Sequence, residues 1–165
     1  MKENYENFIR WFKEPLSSLY KNPHAGFAIV ILSLPILERY LREKSGVCEQ
    51  LNLDDRFHQE FLKMFHLGTD DEIARKFWAV YRHGLLHQAT LKAYGTILGA
   101  AVHGGAAEIE FKGNVFTVSP VKFSELVIKT IEGDFGTYEG PGSPNHTSPR
   151  VDEPSGRSGY NPDIK

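Results

Sequence analysis

The stretch Thr69–Thr90, TDDEIARKFWAVYRHGLLHQAT, decides how this chain is read. It opens with Thr69 and Asp70, side chains that cap a helix, and Glu72 stands where a capping box on Thr69 needs it. The apolar residues that follow recur at helical spacing. With Arg82 set at zero and about 100° per residue, Ile73, Phe77, Val80, Tyr81, Gly84, Leu85 and Gln88 fall in one arc of the wheel. That arc is the expected core face, and Trp78 flanks it. Arg75, Lys76, Ala79, Arg82, His83, Leu86, His87 and Thr90 fall on the opposite face. The reading is a helix running through Gln88 at least, apolar on one side and basic with imidazoles on the other.

Three helical segments are expected before it. The first lies within Asn4–Tyr20, with Pro15 marking a break or kink. The second starts after Asn22 and Pro23, a cap and an N1 proline, and runs to about Ser45, stopping at Gly46. The third spans about Leu53–Leu67, with Asp54 and Asp55 in its first turn and Phe57, Phe61, Met64 and Phe65 at helical spacing. After Gly99 the pattern changes. Ala107–Phe111 and Val115–Val118 flank Lys112-Gly113-Asn114, a short β-hairpin at about 107–118. Ser119-Pro120 then restarts a helix at about 120–132, with Phe123, Leu126, Val127 and Ile131 as its buried stripe. The fold class read here is mainly α: a bundle of four to five helices over residues 1–133 with a hairpin addition.

Residues 134–165 have a different composition. They hold five of the chain's nine prolines, few apolar residues, and three basic against five acidic groups. Such a segment buries too little surface to offset its ordering entropy, so a flexible Gly/Pro/Ser-rich tail is expected.

Composition narrows the function classes. The 165 residues are 41% hydrophobic, enough for one core, and the formal charge of −2 excludes the bulk basicity of general nucleic-acid binders. Any nucleic-acid contact must come from a local patch. Cys48 is the only cysteine, which excludes an internal disulfide or a Cys-rich zinc site and fits a reducing compartment. The N-terminal MKENYENFIRWFKE lacks the apolar core of a secretory signal. The most apolar stretch, Ala25–Leu37, is interrupted by Ser33 and Pro35 and is too short to span a membrane. A cytoplasmic location with no membrane partner is expected.

The outward face of the Thr69–Thr90 helix suits RNA cleavage. A 2′-hydroxyl must lose a proton and a 5′-oxygen must gain one, and histidine does either near neutral pH. The phosphorane-like transition state gathers negative charge, which a planar guanidinium binds. No metal and no cofactor is needed. Leu86 and Ala79 sit among the charges, so the stripe also suits packing against a second copy of the chain. In an α-helix Arg82 and His87 diverge by about 140°, and a symmetry mate would bring the two types together.

YRHGLLHQ, residues 81–88, resembles the motif of the HEPN superfamily: arginine, a polar residue, a short spacer, then histidine. The resemblance covers about residues 4–103. It implies an all-α bundle and, for many members, a metal-independent endoribonuclease working as a dimer with a composite site. It further implies a toxin–antitoxin or defence setting. Other members are non-catalytic modules that bind a nucleotide, RNA or a partner protein. Carried over, Arg82, His83 and His87 are the catalytic candidates. Arg75 and Lys76 are the RNA-binding candidates, and Ala79 and Leu86 the dimer contacts. The partners implied are RNA, a second copy, and an antitoxin or regulatory protein. In toxins silenced by a nucleotidyltransferase a tyrosine follows two residues after the histidine. Ala89 stands there, so silencing at that place is not implied.

Other candidates have plainer readings. His83 and His87 stand at i, i+4, as a zinc site requires, but no further ligand lies near them in sequence. Glu38 reads as a salt-bridge partner, with a helper acid as the alternative. His58, His66 and His103 read as surface or cap residues, and Trp11 and Trp78 as core anchors.

Overall fold

The computed structural model of the chain describes residues 2–47, 53–87, 94–98 and 107–134. Five helices and one small sheet make up the described part. Helix α1 is continuous from Lys2 to Leu19, but its middle, Ile9–Lys13, is a π-turn between α-helical Lys2–Phe8 and Glu14–Leu19. Pro15 explains the interruption. Proline has no N–H to give the preceding turn, and its ring crowds the carbonyl four residues back. The Glu14 N–H bonds to the Ile9 carbonyl, one residue farther than an α-helix would reach. The expected break is thus a widened turn within one helix. The extra residue also shifts the helical phase. Phe8 and Leu16 are buried while Trp11 is 52% exposed, so Trp11 is not a core anchor.

Helix α2 spans Gly26–Ser45. It begins three residues later than the Asn22-Pro23 pair suggests, because Asn22 closes a turn instead: its side chain accepts from the His24 N–H at 2.9 Å. It ends where expected, on Gly46 at φ +73°, the left-handed position that favours glycine. Its Ile29, Val30, Leu34, Leu37 and Leu41 lie in the core. No helix among the described residues is long and apolar enough to cross a membrane.

Helix α3 is Asp55–Met64, capped by Asp54, whose carboxylate accepts from the Phe57 N–H at 3.0 Å. Helix α4 begins at Asp71 and is α-helical to Tyr81; Arg82–His87 then continue as a π-helix. Its cap is Asp70, which accepts from the Glu72 N–H at 3.0 Å, rather than a box on Thr69. Helix α5 is Pro120–Gly133, entered through Ser119 in extended conformation. Phe123, Val127 and Ile131 are buried as the pattern requires, and Leu126 packs at the margin. Helix α2 lies between α5 and α3, and α3 packs on α4.

Strands β2 (Ile109–Lys112) and β3 (Val115–Val118) form the hairpin. Its turn is Gly113-Asn114, both at positive φ, the conformation that suits a two-residue hairpin turn. The sequence did not reveal strand β1, Gly95–Ile97, which runs parallel to β3 and makes the sheet order β1-β3-β2. Three residues are too few to display a period of two. Tyr81 fastens this sheet to α4: its hydroxyl donates to the Thr96 carbonyl at 2.9 Å and also lies 3.3 Å from that of Phe116. Burial pushes this hydroxyl's pKa up, so it remains a donor. An aromatic cluster of Phe61, Phe65, Phe77, Phe116 and Phe123 fills the space between helices and sheet. The tail expected over 134–165 lies outside the described residues except for Asp134, whose carboxylate accepts from Tyr40 Oη and pairs with Lys44 Nζ at 2.8 Å.

Candidate functional site

The two faces of α4 separate as the helical wheel requires. Phe77, Trp78, Val80, Tyr81, Gly84 and Leu85 are buried, and Ile73 packs at the margin. Arg75, Lys76 and His83 are exposed, while Ala79 and Arg82 are half-buried. The side chains of Leu86 and His87, and the whole of residues 88–93, lie outside the described residues.

Arg82 is held from α2. Its Nε donates to Glu38 Oε2 at 2.8 Å. The other oxygen of Glu38 takes Arg42, through Nε at 3.0 Å and Nη2 at 2.9 Å. Glu38 and Arg42 are each 13% exposed at the side chain and Arg82 28%, so this cluster is largely withdrawn from water. Arg42 also stands over the Phe57 ring. Two guanidinium groups thus share one carboxylate where α2 meets α4. Glu38 is thus the salt-bridge partner read from the sequence. Arg42 was not singled out, although its i, i+4 relation to Glu38 on one helix is the signal that pairs them.

The backbone of Arg82–His87 changes the expected geometry. In an α-helix positions 82 and 87 diverge widely. In a π-helix the hydrogen bond spans i→i+5, so position 87 comes round over position 82. The wider pitch brings the Arg82 and His87 positions onto one face of this segment, and the i, i+4 pair of positions 83 and 87 stays on that face as well. The wide divergence that called for a second chain to bring an Arg82 position near a His87 position does not hold in this segment.

The two RNA-binding candidates are engaged at their tips. Arg75 Nη2 pairs with Asp55 Oδ1 at 2.8 Å, and Lys76 Nζ donates to Asn114 Oδ1 at 3.2 Å. Both side chains are exposed, so neither contact is costly to exchange for a phosphate. His66 is exposed at φ +54°, just past the end of α3. His58 is not a surface residue: it is 4% exposed, its Nδ1 is without a hydrogen-bond partner among the described residues, and burial lowers its pKa. Its position one helical turn after Asp54 places it on the α3 side that meets α4, a relation that the aromatic periodicity of α3 did not single out. His103 lies outside the described residues.

A cavity of about 310 Å³ opens at another place, between α2, α3 and α5, with Tyr40, Lys44, Lys63, His66 and Thr130 in its wall. Comparison with known protein families, curated proteins and solved structures finds no match for the chain.

Proposed function

We propose that this chain is a HEPN-type endoribonuclease that cleaves RNA by attack of the 2′-hydroxyl, without a metal, using Arg82, His83 and His87. The observation that carries the reading is the π-turn that aligns positions 82 and 87. π-turns within helices are rare and concentrate at functional sites. Arg82 supplies the charge on the transferring phosphate. Its guanidinium is anchored through Nε to Glu38, an arrangement that leaves the two Nη groups for non-bridging phosphate oxygens. The histidines move the protons. Arg75 and Lys76, exposed on the same helix, meet the flanking phosphates. A dimer through Ala79 and Leu86, an antitoxin or regulatory partner, and a toxin or defence role belong to the same reading.

A second reading is favoured by one contact. Because Arg82 already has a carboxylate partner, the same face also suits a non-catalytic module in which Glu38 keeps the guanidinium neutralised until a nucleotide, RNA or partner protein arrives.

The experiment is incubation of the purified chain with single-stranded RNA in EDTA. The expected products end in 2′,3′-cyclic phosphate, because the neighbouring hydroxyl is the nucleophile. Cleavage only with added divalent metal discards the mechanism. Binding without cleavage selects the second reading.

A further inference from the structure

His58 lies beside two carboxylates at the point where α3 and α4 begin. Asp55 is the first residue of α3 and Asp71 the first of α4. Donor atoms of Asp55, His58 and Asp71 all lie within 4.8 Å of one another. Acids at helix N-termini are ordinary, and these two alone would mean nothing. The histidine makes the difference. It is 4% exposed, one of its ring nitrogens lies among the carboxylate oxygens, and among the described residues its Nδ1 has no hydrogen-bond partner. A buried polar atom left unpaired is costly, and in folded proteins it calls for a specific explanation, such as an ion. From these observations we infer that Asp55, His58 and Asp71 form a zinc site that clips the start of α3 to the start of α4.

The ligand set selects the ion. Mg²⁺ and Ca²⁺ take oxygen ligands, whereas an imidazole suits zinc and its neighbours. Two carboxylates and one neutral imidazole exactly offset the charge of Zn²⁺ and leave a fourth, tetrahedral position for water. Zinc bonds of about 2.0–2.2 Å require the three donors to draw closer than they now stand. Asp55 can do this by rotating, since its side chain is 73% exposed. Asp71 must release Gln59 Nε2, which it now accepts. Arg75, whose Nη2 is 2.8 Å from Asp55 Oδ1, is the cation already present and is the group the metal displaces. Its side chain is 56% exposed and can swing into water. The site shares Arg75 with the RNA-contacting face of the cleavage reading but none of its catalytic residues: Arg82 lies eleven residues beyond Asp71 along α4.

The test uses the full chain, free of any histidine tag, titrated calorimetrically with ZnCl₂, with MgCl₂ as the control ion. Binding of Co²⁺ is followed in parallel by its visible absorption, which is intense only for a tetrahedral site. One Zn²⁺ per chain is expected, with no heat from Mg²⁺. Asp55→Asn and Asp71→Asn should each weaken binding at least tenfold and dim the cobalt band. Both substitutions leave the capping residues Asp54 and Asp70 in place, so folding, checked by circular dichroism, is preserved. Arg75→Gln should tighten binding several-fold by removing the competitor. No zinc binding to the native chain, or binding that neither asparagine variant weakens, overturns the site. These readouts do not involve RNA, so failure of the zinc site and failure of the cleavage reading are separate results.

Discussion

Arg82 Nε lies 2.8 Å from Glu38 Oε2, and the second oxygen of that carboxylate belongs to Arg42. One acidic side chain on α2 therefore holds two guanidinium groups at the boundary with α4. Glu38→Gln removes the negative charge that joins the two guanidinium groups, which are partly shielded from water. Unfolding stability should fall by about 1–3 kcal/mol, below the full cost of breaking a wholly buried pair. Urea unfolding of the variant should show a lower midpoint with unchanged slope. An unchanged midpoint would mean that water screens the cluster.

Arg82→Ala is a milder change for the fold, because Glu38 keeps Arg42. Cleavage should nevertheless drop by a factor of about 10²–10³, the cost of losing one aimed donor to the transition-state charge. Arg82→Lys should rescue little of it, since an ammonium lacks the planar fork. His87→Ala should lose about 10²–10⁴ with loss of the proton carrier. Single-turnover rates on one defined RNA measure all three. A fully active Arg82→Ala variant would remove this residue from the chemistry.

Leu86→Glu tests whether two chains are needed. If the stripe of Ala79 and Leu86 joins two copies, the substitution puts like charges into that contact and should convert dimer to monomer, as read by light scattering. Positions 82 and 87 align within one chain through the π-turn. The monomer should therefore keep most of its cleavage rate. A folded but inactive monomer would show that the second copy supplies part of the site.

Asp134 gives a prediction in pH. Hydrogen bonds from Lys44 and then Tyr40 hold its carboxyl below the ordinary value of 3.8. The group is depressed in the folded state, so its contribution is complete above that value and fades as pH falls below it. The side chain is 40% exposed, which limits the contribution to about 1 kcal/mol at most. Asp134→Asn should therefore be less stable than the native chain at neutral pH, and the two should converge below pH 3.8. The Lys44 pKa is raised, chiefly by the same carboxylate, so its share persists up to the ordinary 10.5 and declines only above it. Parallel denaturation curves across the acid range would refute the assignment.

The helices were legible because their signals are local and repeated. Phe57, Phe61 and Phe65 announce α3, and the two faces of α4 follow from eleven α-helical residues with a clear stripe. Gly113-Asn114 announces the hairpin because that turn demands positive φ. What stayed hidden depends on the third dimension. β1 has no pattern of its own and exists because Val115–Val118 offers a free edge. His58 lies within an aromatic-rich helix, and its burial beside Asp55 and Asp71 depends on where α4 docks. The link from Glu38 to Arg82 spans 44 residues; the sequence allowed it and the packing of α2 on α4 made it. Trp11 and the alignment of positions 82 and 87 were misplaced for one shared reason. A wheel drawn at a fixed pitch fails wherever the helix widens.

That widening makes spacer length and helix pitch interchangeable. A π-turn equals an α-turn carrying one inserted residue, so the five-residue step from 82 to 87 does the geometric task that a four-residue step does in ordinary helix. Deleting one residue between them and letting the segment tighten would preserve the alignment and bring the following chain back by one position. Insertion of one more would destroy it. Sequences that place the same two groups on one helix face can thus differ in spacing by a residue and still be equivalent, provided that the local pitch differs with them.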